Sequence, residues 1–150
     1  MTRSFLPGIA SAEALSGHVL AIRWNGMAED RIDLTELVAG RKGLAPLRKA
    51  AAFASAKVGE GGWSVVWKGG VELDADFLYR LARYQAGDSL TPEAFVSWRE
   101  RNKLSQAKAA LALGISLRMV KYYEDGSYLI PKTVCLACLG YESLQRKAAA

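Results

Sequence analysis

Apolar and polar positions change their rhythm near residue 87 of this 150-residue chain. Before that point the runs are short and many alternate. Val19 to Trp24 places Leu20, Ile22 and Trp24 on one face and Ala21 and Arg23 on the other, which predicts a half-buried strand. Asn25-Gly26 is a strong turn signal, and Arg31 to Leu34 can return as a second strand after a loop of about five residues. Ala54 to Val58 and Trp63 to Trp67 predict another pair around Gly59-Glu60-Gly61-Gly62. There Trp63, Val65 and Trp67 share a face, which reads as sheet core in preference to the lining of a ligand pocket. Thr35 to Ala39 and Asp74 to Arg83 predict helices, the second N-capped by Asp74 and carrying Phe77, Leu78, Leu81 and Ala82 as its apolar stripe. His18 reads as a strand-edge residue. The expected fold class for residues 1–86 is α+β, a small domain on an antiparallel sheet.

Gln85 to Ser89 is a short polar connector, and residues 87–150 are helical in pattern. Thr91-Pro92-Glu93 is a complete helix start: a hydroxyl cap, proline at the first helical position and an acid in the first turn. Phe95, Val96 and Trp98 supply the apolar face. Ser105 caps a helix from Gln106 to Leu113 that Gly114 stops, and Ser116 caps another from Leu117 to Glu124 that Asp125-Gly126 stops. Pro131 opens a fourth helix to about Leu139, and Lys147-Ala-Ala-Ala reads as a frayed end.

Composition sharpens this division. The net charge is +5. Residues 1–90 hold 11 Lys and Arg against 10 Asp and Glu, whereas residues 91–150 hold 9 against 5, so the positive excess sits in the helical part. That points a polyanion-facing surface toward the C-terminal end. A single histidine excludes sites that need two, and two cysteines make no disulfide scaffold and suggest a reducing compartment. Cys135-Leu-Ala-Cys138 has no second ligand pair and reads as core-facing on a helix. No paired acids, nucleophile elbow or phosphate loop stands out, so neither an enzyme nor a cofactor is expected. No apolar run reaches membrane-span length, and the first residues lack a secretory apolar core, so a cytoplasmic protein with no membrane partner is expected.

The stretch from Ser105 to Gly126 carries the functional signal. Two short serine-capped helices meet at a glycine turn. Ala110 suits a close helix approach, and Leu113, Ile115, Val120 and Tyr123 are spaced to pack inward. Arg118, Lys121 and Tyr122 are left on the outer face of the second helix. This is a helix-turn-helix, whose second helix can enter a DNA major groove. The pattern Trp98-Arg99, Leu104-Ser105-Gln106, Ala110, Leu113-Gly114-Ile115-Ser116, Val120 and Tyr123-Glu124-Asp125-Gly126 resembles the Cro/CI-type (XRE) helix-turn-helix of bacterial repressors, over residues 91–140. The resemblance implies an all-α, lambda-repressor-like C-terminal domain and an ion pair between Arg99 and Glu124. Ala109 departs from it, standing where that family has a larger apolar residue. In the first half, Val19-Leu-Ala-Ile, Arg31-Ile-Asp-Leu-Thr-Glu-Leu, Leu47, Phe53, Trp67-Lys-Gly-Gly-Val-Glu-Leu-Asp and Leu78-Tyr79 resemble bacterial domain-of-unknown-function family 2442, which brings no established activity.

The expected function is a sequence-specific DNA-binding transcriptional regulator, a repressor by resemblance, acting as a homodimer on double-stranded DNA, with residues 1–86 as a candidate dimerisation, partner or ligand domain. The candidate DNA-binding residues are Gln106, Ser116, Leu117, Arg118, Lys121 and Tyr122. Gln106 and the helix starts would meet phosphates; Arg118 suits guanine and Leu117 a thymine methyl. Two alternatives stay open. One is an antitoxin-like module that neutralises a toxin-like protein partner, with DNA binding secondary. The other is a ligand sensor acting through the first domain.

Overall fold

The computed structural model describes residues 6–150; most of the segment behind the expectation of no secretory core lies outside the described residues. The protein is mixed α and β, and it divides into two compact units, the first ending at Ala82 and the second beginning at Arg83.

The first unit is built on β1 (Ile9–Leu15), β2 (Val19–Trp24) and β3 (Glu29–Asp33), an antiparallel sheet in that order. The alternation of β2 places Leu20, Ile22 and Trp24 in the core, and Leu20 faces Ile32 across the β2–β3 pair. The Trp24 indole donates to the Asp30 carboxylate at 2.7 Å, which satisfies a buried N–H. Helices α1 (Thr35–Gly40) and α2 (Ala50–Phe53) follow. A second antiparallel sheet, β4 (Lys57–Val58), β5 (Ser64–Val66) and β6 (Glu72–Asp74), leads into α3 (Ala75–Gln85). Leu78 and Ala82 of α3 are buried, while Phe77 and Leu81 pack at the edge of the same core.

Five expectations are corrected here. There are two three-stranded sheets among the described residues, where one small sheet was expected, and β1 was not foreseen. Its sequence, Ile-Ala-Ser-Ala-Glu-Ala-Leu, presents Ala12 and Ala14 inward, and alanine has neither β propensity nor a strong hydrophobic signal. The strand expected from Ala54 shrinks to Lys57–Val58, because the alanines before it favour a helical turn that the Ser55 hydroxyl closes onto the Ala52 carbonyl at 2.7 Å. Trp63 is 66% exposed, against the expected core position. It ends a tight 3₁₀ turn with helical dihedrals, so the extended run starts one residue later and Trp63 falls outside the alternation. Trp67 is buried as expected, its indole donating to the Phe53 carbonyl at 3.0 Å. His18 sits in the β1–β2 turn, left-handed at φ 58°, with its Nε2 2.9 Å from the Leu47 carbonyl oxygen. Asp74 ends β6 and directly precedes Ala75, the first residue of α3, so it stands at the position expected of that helix's cap.

The second unit contains α4 (Pro92–Arg101), α5 (Gln106–Leu113), α6 (Leu117–Asp125) and α7 (Lys132–Ala149). The three hydroxyl caps form as the sequence predicts. Thr91 accepts from the Ala94 N–H, Ser105 from Lys108 and Ser116 from Met119, each at 3.1 Å. Phe95 and Trp98 centre the core with Ala109, Ala110, Val120, Tyr123, Ile130, Val134, Cys135 and Cys138. The α7 helix runs ten residues past the expected end at Leu139 and takes in all but the last residue of the expected frayed tail. Packing overrides Gly140: Tyr141 sets its ring edge-on to Trp98 at 5.7 Å, and Glu142 pairs with Arg101 at 2.6 Å.

Candidate nucleic-acid interface

Two short helices at a fixed angle need a turn that no ordinary residue makes comfortably. Gly114 closes α5 in the left-handed region at φ 70°, and its N–H and that of Ile115 cap the last α5 carbonyls. Ser116 then starts α6 at once. The rotation of α6 about its own axis is set by Val120, wholly buried, and Tyr123, 5% exposed and edge-on to Phe95 at 5.9 Å. The opposite face presents Leu117, Arg118, Lys121, Tyr122 and Asp125, which line one open depression of about 480 Å³. Residues at these spacings share a helical face.

Neither Arg118 nor Lys121 enters an ion pair among the described residues, and both are exposed. Leu117 is 40% exposed, a large apolar group held at the helix start. Tyr122 is half-buried because its ring lies 5.0 Å from that of Tyr128, in the loop after α6. Tyr128 was not among the predicted residues, although an aromatic two residues beyond the Gly126 stop is the signal that would have found it. Asp125 does not oppose the cations freely. The Ser127 hydroxyl and then its N–H both donate to this carboxylate, hold its pKa below the usual range and pin the loop.

Gln106 and Ser116 are placed differently from the four outer residues. The Gln106 amide donates to Glu124, and the Ser116 hydroxyl oxygen accepts from the Met119 N–H as a helix cap. Glu124 also accepts from Arg99 Nε at 2.7 Å, with the two side chains 18% (Arg99) and 8% (Glu124) exposed. Arg99 further donates through Nη1 to the Leu104 carbonyl at 3.1 Å. The expected Arg99–Glu124 pair therefore exists and ties α4, the α4–α5 turn, α5 and α6 into one frame. Ala109 is fully buried, so its small side chain is part of the core.

No metal-binding cluster occurs among the described residues. Cys135 and Cys138 both lie in the core, and burial pushes the Cys138 thiol up to about 12. No described helix is long and apolar enough to cross a membrane. In the first unit a cavity of about 350 Å³ lies between the β1–β2 turn and α2, lined among others by Leu15, His18, Ala50 and Phe53.

No protein-family model matches the chain, and no curated protein does. Among solved structures, the chain is similar to the crystal structure of "Putative DNA Binding Protein NE0471" from Nitrosomonas europaea ATCC 19718. The two are 37% identical over 95% of this chain and 90% of that one, with a TM-score of 0.58.

Proposed function

The chain belongs to the same family as the Nitrosomonas europaea protein, and from that premise we propose that it is a sequence-specific DNA-binding regulator that reads the major groove with α6. The second unit acts as a helix-turn-helix of Cro/CI type, and the protein works as a repressor, without catalysis, in the bacterial cytoplasm. The first unit carries the resemblance to family 2442 and serves as a partner or ligand domain. The observation that carries the reading is the outer face of α6. Two unpaired cations and an exposed leucine stand on a helix whose rotation is fixed by the core behind it. The relative's description as DNA binding supports the same conclusion.

In this reading Arg118, one residue into α6, lies at the end that enters the groove most deeply. Its planar fork bonds guanine O6 and N7 together. Lys121 reaches a base or a phosphate as a point charge, and Leu117 meets a thymine methyl. The free N–H groups at the starts of α5 and α6 face phosphates, with Lys103 and Lys108 beside the first. Gln106 contributes by bracing Glu124, and Ser116 by capping. A second reading, in which the first unit binds a toxin-like protein, draws on the exposed Trp63 and on Met27, 48% exposed.

Bound fragments are selected from genomic DNA, and wild type, Arg118→Ala and Lys57→Ala are titrated against selected and scrambled duplexes at one salt concentration. Arg118→Ala is expected to lose about 1–3 kcal/mol on selected DNA and to relax preference at one base pair. Lys57→Ala is expected to change little. Equal wild-type affinity for selected and scrambled DNA overturns the regulator and promotes the protein-partner reading.

A further inference from the structure

The face of α7 turned away from the core is apolar where an isolated unit would place charge. Leu136 is 57% exposed, and Leu139 and Leu144 are each 66% exposed. Along this face Leu136, Gly140 and Leu144 stand at i, i+4 and i+8, which makes them one ridge of the helix surface. Gly140 is the low point at its middle. A glycine inside a helix costs stability and needs a reason. This unit supplies none, because a Cβ at Gly140 would meet nothing within 4 Å. The space above it is open to a neighbour.

We infer that this ridge is the contact between two copies of the chain, with α7 crossing its antiparallel counterpart over Gly140. The occupant follows from the arrangement of the face about that glycine. A two-fold axis at Gly140 sets Leu136 of one copy over Leu144 of the second, and the reverse, so the apolar pattern is its own complement. The same operation sets Lys147 opposite Thr133 and Lys132 opposite Ala148, with no like charges opposed. A parallel pairing would instead bring Lys132 against Lys132 and Lys147 against Lys147, and would align the helix dipoles unfavourably. Ridges of the i, i+4 kind interdigitate when two helices cross at roughly 50°, and a small residue at the crossing lets the backbones come close. The inference rests on the proposed function for its purpose, since two copies would present two α6 helices to two half-sites, but its test needs no DNA.

Sedimentation equilibrium is run on the full chain without DNA, for wild type, Gly140→Gln and Leu136→Lys/Leu144→Lys. All changed positions are exposed, and far-UV circular dichroism checks that helix content is retained. Wild type is expected to approach twice the 16.3 kDa chain mass with rising concentration, while both variants stay near the single mass. A Gly140→Cys chain, oxidised, is expected to form a disulfide-linked dimer, because only the residue on the axis meets its own copy. The native Cys135 and Cys138 are buried and do not compete. A wild type that remains monomeric at every concentration overturns the inference. So does a dimer that Gly140→Gln leaves intact, or one in which Gly140→Cys fails to link. Failure of the DNA reading would appear separately, as a dimer indifferent to DNA sequence.

Discussion

Replacing Arg99 by methionine tests whether the frame beneath α6 is held electrostatically. Methionine keeps most of the apolar stem, so the loss is chiefly that of the charged fork. Glu124 is 8% exposed and accepts from Arg99 and Gln106; without Arg99 its charge would keep only a neutral amide donor. Breaking a buried pair by removing one partner costs about 3–5 kcal/mol. The Leu104 carbonyl also loses its donor, worth roughly 1 kcal/mol. Arg99 is 18% exposed, so water enters part of the vacated space and holds the total to about 3 kcal/mol, within the lower part of that range. Against a domain stability of about 5–15 kcal/mol this is a large fraction. With a urea slope of about 1.5 kcal/mol per molar, the midpoint of helix loss should fall by roughly 2 M. The assay is urea unfolding followed by far-UV ellipticity, with Glu124→Leu and the double variant completing a cycle. Removing both charges should recover most of the loss, because no uncompensated charge stays buried. A shift below about 1 kcal/mol for Arg99→Met, the value of an exposed pair, would refute the reasoning.

Four further outcomes are expected. Lys103 adopts φ 56° at the end of α4, so Lys103→Gly should raise stability by about 1 kcal/mol in urea unfolding; a loss would show that the lysine side chain holds the turn. Trp67→Ala should cost about 3–5 kcal/mol, whereas Trp63→Ala should stay within about 0.5 kcal/mol; equal thermal shifts would contradict the assigned burial. Because burial raises both thiols above their ordinary value, Cys135 and Cys138 should stay protonated and resist a disulfide reagent at pH 8 until denaturant is added; labelling of the native protein would show the core to be open. A fragment starting at Arg83 should keep helical circular dichroism and melt cooperatively; an unfolded fragment would deny its independence.

Local chemistry fixed much of this protein in advance. Thr91, Ser105 and Ser116 each bond the N–H three residues on, and a serine or threonine before an apolar run needs no tertiary help to do so. Gly114 and Gly126 stop their helices for an equally local reason, and the alternation of Leu20, Ile22 and Trp24 set the buried face of β2. Arg118 and Lys121 were legible as outward residues because Val120 and Tyr123 fix the helix rotation.

Tertiary structure decided whatever depended on which neighbour a residue meets. The alanine-rich β1 carries almost no signal of its own and exists because β2 offers it a ladder. Trp63 has the right parity for the core, yet one tight turn before it shifts the phase and leaves it in solvent. The pattern ends the last helix near Leu139, and Tyr141 and Glu142 carry it further by finding Trp98 and Arg101. Gln106 was legible as a residue at a helix start, but only the fold shows that its amide donates to Glu124, 18 residues away. Pattern reports what a residue prefers by itself, and only the fold brings the partner that outbids that preference.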